Sequence, residues 1–257
     1  IVWRYDMRAE LSVWPQDCAN CSPLIHGDFV YVCTSNGVDK SHDRVPSPLA
    51  PSLIELDKRT GRLVAKDEER IGTRLFHGQW SSPSLGKIGD KALVLFGGGE
   101  GVCYAFEALP AASEGVLPLR KVWSLDCNPP HYKVRDGKPV RYRDGDIRLH
   151  RPNNKGDGSF LGPSEIIATP VLYKNRVYVA TGQDPSHGKG KGMLTCIDAT
   201  KKGDVTKTAK IWSFDEIDRS LSTVAIADGL LYVADIPGTL YCFDPENGKL
   251  HWKYDTK

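Results

Sequence analysis

Two stretches of the sequence place an acid and an imidazole at the same interval, Asp39-Lys40-Ser41-His42 and Asp184-Pro185-Ser186-His187. An Asp and a His three residues apart can share a metal ion or work as an acid-base pair. The same side chains also cap exposed turns by bonding to nearby backbone, and spacing alone leaves both uses open. Four further residues, His77, Gln79, Glu165 and Arg219, stand just ahead of short apolar runs. There they are candidates for the mouth of a channel or for a binding face.

Seven cysteines add a second kind of chemistry. Cys18 and Cys21 make the only C-x-x-C, followed by Ser22 where covalent haem attachment needs His. Without a second C-x-x-C a zinc site has little support, and a local disulfide or two unrelated thiols fit as well. Cys33, Cys196 and Cys242 fall inside apolar runs and read as small core fillers. From Lys133 to Lys155 the chain carries Lys133, Arg135, Lys138, Arg141, Arg143, Arg148, Arg151 and Lys155 against three Asp. Such a stretch suits an acidic partner, a phosphate-bearing polymer or plain solvent.

Bulk composition narrows the classes. The 34 Lys and Arg nearly cancel the 32 Asp and Glu, so no global field favours specific nucleic-acid binding or anionic lipid. The longest apolar runs resemble Ala92-Leu93-Val94-Leu95-Phe96, far short of the roughly 18 residues of a membrane span. The chain begins at Ile1 without an initiator Met or a signal-like start, which leaves room for a leader or further sequence upstream.

The elements that must hold these residues are visible as a repeat. The phrase Trp3-Arg4-Tyr5-Asp6 returns as Trp123-Ser124-Leu125-Asp126, Trp212-Ser213-Phe214-Asp215 and Trp252-Lys253-Tyr254-Asp255. Ahead of the last copy, Asp228-Gly229, Pro237-Gly238 and Pro245-Glu246-Asn247-Gly248 punctuate short apolar runs, the pattern of four antiparallel strands and three turns. The other copies align on it, with Ala65 where the first full copy should have Trp. A four-stranded unit of about 40 to 50 residues, repeated, predicts an all-β protein, a β-propeller of antiparallel blades. Asp57 and Asp244 are placed to bond a turn, Gly61 and Gly248 to supply its positive φ, and the Trp residues to fill the space between blades.

The boundaries predicted are a single propeller domain or arc over 1–257. It comprises an orphan outer strand at 1–7, blades at 21–67, 80–126, 166–215 and 221–255, and a long insertion at 127–165. Propellers ordinarily close with six to eight blades. These four complete units therefore predict an arc, to which a longer chain or a neighbouring molecule adds the rest. Blade-to-blade connections and loops joining second to third strands open on one face. Most of the extra length, in 8–20, 35–50, 67–79, 127–165 and 182–192, belongs to that class, and the opposite face has tight turns with moderate loops near 108–120 and 199–209. A loop-rich face on a rigid scaffold is where binding is expected.

The run Phe243-Asp244-Pro245-Glu246-Asn247-Gly248-Lys249-Leu250-His251-Trp252 resembles the repeat of the pyrroloquinoline-quinone (PQQ) dehydrogenase propellers. His77-Gly78-Gln79-Trp80-Ser81-Ser82-Pro83 and Ala180-Thr181-Gly182-Gln183-Asp184-Pro185 are similar to bacterial PQQ-binding-like β-propeller repeat proteins. The outer-membrane barrel-assembly lipoprotein is a cousin of that class. The resemblance implies export to the periplasm or outside the cell. It implies either a non-catalytic scaffold for a protein or envelope polymer, or a PQQ- and Ca²⁺-dependent quinoprotein dehydrogenase. A propeller module of a larger redox or envelope complex is a third expectation. The dehydrogenases with the best-known sites stack PQQ on adjacent cysteines, and this chain has no adjacent pair. No catalytic or cofactor residue is carried over, and the scaffold is the preferred expectation.

Overall fold

Strands that alternate their side chains between two faces can serve two neighbours at once, and this chain uses that period throughout. The computed structural model describes residues 1–109, 114–145, 147–149, 163–187 and 190–256. The first blade contains β1 (Leu24–His26), β2 (Phe29–Cys33), β3 (Leu53–Asp57) and β4 (Leu63–Lys66). In the second, β5 (Ser84–Ile88), β6 (Lys91–Gly97) and β7 (Val102–Glu107) precede a short β8 (Leu117–Pro118) and the outer strand β9 (Lys121–Asp126). The described part of the insertion includes two small hairpins, β10 (Val134–Arg135) with β11 (Lys138–Pro139) and β12 (Arg143–Asp144) with β13 (Ile147–Arg148). The third blade is β14 (Val171–Tyr173), β15 (Arg176–Thr181), β16 (Met193–Asp198), a short β17 (Gly203–Asp204) and β18 (Lys210–Phe214). The fourth is β19 (Ala225–Ala227), β20 (Leu230–Ala234), β21 (Thr239–Phe243) and β22 (Leu250–Asp255). Each blade's four main strands pair antiparallel in chain order.

The core lies between blades. Val94 and Phe96 point from β6 toward Tyr31 and Val64 of the first blade, while Leu93 and Leu95 point toward Val177 and Val179 of the third. One position along β15, Tyr178 and Ala180 face Leu231 and Phe243 of the fourth. A one-residue slip in any inner strand would therefore exchange both interfaces together, which fixes register.

The turns follow from their residues. Asp57 Oδ1 accepts from the backbone N–H of Arg59 and Thr60, Gly61 takes φ 72°, and β3 bulges between Glu55 and Leu56. All four blades bulge at this place, as at Cys242 and Phe243 ahead of Gly248 with φ 74°. Trp3 donates its indole N–H to Lys58 O at 2.9 Å and lies on Gly61, where a Cβ would sit 2.5 Å from the ring. Trp212 repeats the contact on the next such turn, donating to Pro245 O at 3.0 Å and lying on Gly248.

Two features depart from the sequence pattern. The outer strand expected over Ile1–Met7 does not form, because among the described residues no neighbouring strand takes up its backbone donors and acceptors. Asp6 instead caps the short helix α1 (Met7–Leu11), accepting from the N–H of Arg8 and Ala9. The connections 108–120 and 199–209 are also more than loops. Their short strands β8 and β17 reach back and pair parallel with β4 and β9, the outer strands of the preceding blades.

Candidate functional site

The loop-rich face is knitted from below by backbone. Gln79 donates its amide to Asn36 O and Ser52 Oγ, and Val38 N–H donates to His77 O, so the 35–38 and 77–79 segments hold one another. Gly37 permits that approach, since a Cβ there would lie 2.8 Å from His77 O. Glu165 and Gly182 exchange both backbone hydrogen bonds, and Asp184 N–H donates to Glu165 Oε2. Arg219 donates to His187 O at 3.0 Å, its guanidinium lying where a side chain on Gly190 would stand.

These segments converge on His77, which is 1% exposed. Its ring centroid lies 4.9 Å from that of His42, 5.0 Å from His187 and 5.1 Å from Trp80. Its Nδ1 is 3.7 Å from Glu165 Oε1 and 3.9 Å from Asp184 Oδ2. Gln16 places its amide 3.3 Å from His42 Nε2. Of the two Asp-x-x-His pairs, His42, Asp184 and His187 join this cluster. Asp39 does not; it accepts from Ser41 Oγ and Asp43 N–H and faces Arg44. His77, Gln79, Glu165 and Arg219 are all buried. Among the described residues, no group of three or more His, Cys, Asp or Glu is arranged to hold a metal ion.

The insertion lies across the same face. Tyr132 donates its hydroxyl to Lys191 O, Arg143 donates to Leu75 O, Tyr142 meets Phe76 edge to face, and Arg44 bridges to Ile147. It thereby ties together loops from the first three blades. Leu49 (70% exposed), Ile147 (61%), Val134 and Leu149 present apolar side chains outward from it and from the neighbouring 35–50 loop. Of the basic residues in this stretch, Arg151 and Lys155 lie outside the described residues, as do the side chains of Arg135 and Arg148.

Sequence reasoning missed a second polar cluster. Arg74 donates to Glu100 Oε1 and to the Tyr104 hydroxyl, and Tyr104 donates to the same carboxylate. Burial pushes Glu100 up to about 7 against the opposing pull of the Arg74 charge. Arg74 and Tyr104 help line a cavity of about 750 Å³, together with Glu69, Lys121, Asp126 and Thr206. The available signal was Gly97-Gly98-Gly99-Glu100-Gly101: a Cβ on Gly98 would sit 2.1 Å from Glu100 Oε2, so the glycines make room for a buried acid.

Four-stranded blades stacked face to face, with Trp docked on an Asp-x-x-x-Gly turn, define a β-propeller fold. The sequence matches the family described as outer membrane protein assembly factor BamB over residues 190–257. No curated protein matches it at a significant level. Among solved structures, BamB from Moraxella catarrhalis is 16% identical with a TM-score of 0.54, covering 91% of this chain and 51% of its own. Quinohemoprotein alcohol dehydrogenase from Comamonas testosteroni is 13% identical with a TM-score of 0.55, covering 94% and 35%. A europium-containing methanol dehydrogenase is 16% identical with a TM-score of 0.56, covering 99% and 45%. The chain thus spans about half or less of these three structures, and the likeness is one of fold.

The dehydrogenase neighbours make PQQ and a hard cation the groups to test against this cluster. Ca²⁺ takes six to eight oxygen ligands. Here three imidazoles and an indole crowd the centre, with the carboxylates at their edge, and the sequence has no adjacent cysteines. The residues described do not fit that pair of groups.

Proposed function

We propose that this chain is a non-catalytic binding or assembly scaffold whose loop-rich face takes a protein or envelope polymer. One observation carries the reading. His77, Glu165 and His187 are buried and His42 and Asp184 half-buried, while large apolar side chains stand exposed on the insertion and the neighbouring 35–50 loop. A catalytic group must reach its substrate, whereas an adhesive surface needs exposed anchors on a rigid base. Leu49, Val134, Ile147 and Leu149 are such anchors, and the hydrogen bonds from Tyr132 and Arg143 supply the base. The family description over residues 190–257, an outer membrane assembly factor, supports the same reading and a periplasmic or extracellular setting. Among the described residues no helix is long and apolar enough to cross a membrane.

Replacing Ile147 and Leu149 together by Asp should abolish capture of a partner from envelope extract while leaving the melting temperature within about 2 °C. Addition of PQQ and Ca²⁺ should leave melting and absorbance unchanged. A saturable melting shift with those two additives would instead favour the quinoprotein alternative.

A further inference from the structure

The third and fourth blades carry the same pattern at the same register. On the third, Tyr178, Cys196 and Trp212 stand in one cross-strand row, with Ala180, Leu194 and Phe214 in the row beside it. On the fourth the rows are Tyr232, Cys242 and Trp252, then Ala234, Leu240 and Tyr254. The packing within the row is copied too. Tyr178 and Trp212 hold their ring centroids 6.0 Å apart at 50°, Tyr232 and Trp252 6.0 Å apart at 52°. The third blade's rows are covered by Leu231, Val233, Tyr241 and Phe243 of the fourth, and Tyr178 and Trp212 both donate to Pro245 O. On the fourth blade, by contrast, Trp252 and Tyr254 are exposed.

The chain also carries a matching cover. In register, Leu231, Val233, Tyr241 and Phe243 correspond to Val30, Val32, Ile54 and Leu56 of the first blade, and the 244–248 turn to the 57–61 turn. Ile226, packed toward the third blade, corresponds to Ile25, which is 66% exposed. The 57–61 turn already takes a Trp of this phrase, since Trp3 donates to Lys58 O and lies on Gly61. Charge selects the pairing. Between the third and fourth blades, Glu246 lies 3.6 Å from Lys174 and 2.8 Å from Arg176. At the corresponding positions the fourth blade has Asp228 and Leu230, and the first-blade turn has Arg59. The signs are exchanged, Asp228 for Lys174 and Arg59 for Glu246, and Leu230 removes the cation that would oppose Arg59. Asp228 and Arg59 are both exposed, and Arg59 lies 3.7 Å from Asp28 of its own blade.

We propose that the outer face of the fourth blade is a docking surface for the first blade of a second copy of this chain. Trp252 of one copy donates to Lys58 O of the other and lies on its Gly61, Asp228 pairs with Arg59, and the receiving copy's Trp3 withdraws from the turn it otherwise fills. Trp3 is the weaker occupant, because residues 1–6 form no strand and Ile1 and Val2 beside it are exposed, whereas Trp252 brings a whole blade face. The contact runs head to tail. Two four-bladed arcs reach the upper end of the usual blade number, so two such contacts close a ring and growth stops at the dimer.

Sedimentation velocity of the full chain from about 1 to about 100 µM should show a monomer passing to a dimer and nothing larger. Trp252→Ala, at an exposed position, should leave the melting temperature within about 2 °C and raise the dissociation constant at least about tenfold. Trp3→Ala empties the turn and should lower that constant about threefold or more. Asp228→Lys should weaken the dimer about tenfold, and adding Arg59→Glu should restore it to within about threefold of wild type. The pair of reversals recreates Lys174 and Glu246, and Lys174 already holds φ 48° where Asp228 holds 51°, so the turn accepts the change. Rescue by the second reversal is a result that a merely damaged fold does not give. Wild-type and Trp3→Ala chains that both stay monomeric over that range would overturn the proposal. A dimer indifferent to Trp252→Ala and to the charge reversals would overturn it as well, because the copies would then meet elsewhere, and growth beyond the dimer would overturn the closed ring.

Discussion

Glu55 shows how one residue compensates for another. In three blades a small third-strand residue pairs with the outer Trp: Ala105 with Trp123, Cys196 with Trp212 and Cys242 with Trp252. In the first blade the same position pairs Glu55 with Ala65, so the larger side chain has moved to the inner strand. The cost is a fully buried carboxyl, and burial pushes it up to about 7 against the opposing pull of the Tyr31 hydroxyl. Between the ordinary Glu range and that value the folded chain keeps a proton that the unfolded chain has lost. Stability therefore falls as pH rises through about 4.5 to 7, and stays lowered above it. Glu55→Gln removes the titration. It should gain roughly 1–3 kcal/mol over wild type at pH 8, a difference that closes near pH 4.5. Urea titrations at the two pH values check this, and a constant offset would show that Glu55 does not titrate there. The missing Trp at Ala65 was visible in the sequence; the compensation was not, because it depends on a cross-strand register that only the folded sheet fixes.

At the scale of the element, the third-to-fourth-strand turn is where sequence and structure agree most closely. Asp57 and Asp244 both bond the following backbone, and both turns end in a left-handed Gly. A Cβ on Gly61 or Gly248 would meet backbone strain and also the docked indole, at 2.5 and 2.6 Å. Gly248→Ala should therefore cost about 2–4 kcal/mol, more than the roughly 1 kcal/mol of a simple left-handed position. It should also shift Trp212 emission toward that of a solvated indole. An equally large loss with unchanged emission would place the cost in the backbone alone. This motif was readable because its chemistry is local, a side chain capping its own turn. The parallel additions of β8 to β4 and β17 to β9 were not, since a two-residue strand joined across blades leaves no period in the sequence.

Across the whole molecule, topology alone placed the long loops on one face, yet depth within that face depends on packing. His42, His77, Asp184 and His187 were singled out from scattered positions and do converge, but spacing could not reveal that His77 and His187 are buried while His42 and Asp184 stay half-buried. The same contrast governs the repeated Trp. Trp123 is fully buried between the second and third blades, and Trp212 is docked on the Gly248 turn, whereas Trp252 is 43% exposed on β22. Identical positions in the repeat thus carry different energies according to what lies on them. In the 257-residue chain Trp212→Ala should cost about 2–4 kcal/mol, for a partly buried indole and its hydrogen bond. Trp252→Ala should cost under about 1 kcal/mol, since little contact is lost. Acrylamide should quench Trp252 emission in the native chain. If a further blade or a neighbouring molecule supplies an Asp-x-x-x-Gly turn, as the docks of Trp3 and Trp212 imply for such a surface, Trp252 becomes shielded and its replacement as costly as that of Trp212. Denaturation of the chain with and without that added unit distinguishes the two states. If Trp252→Ala in the isolated chain lost as much stability as Trp212→Ala, the energy of a blade Trp would not depend on the turn that covers it.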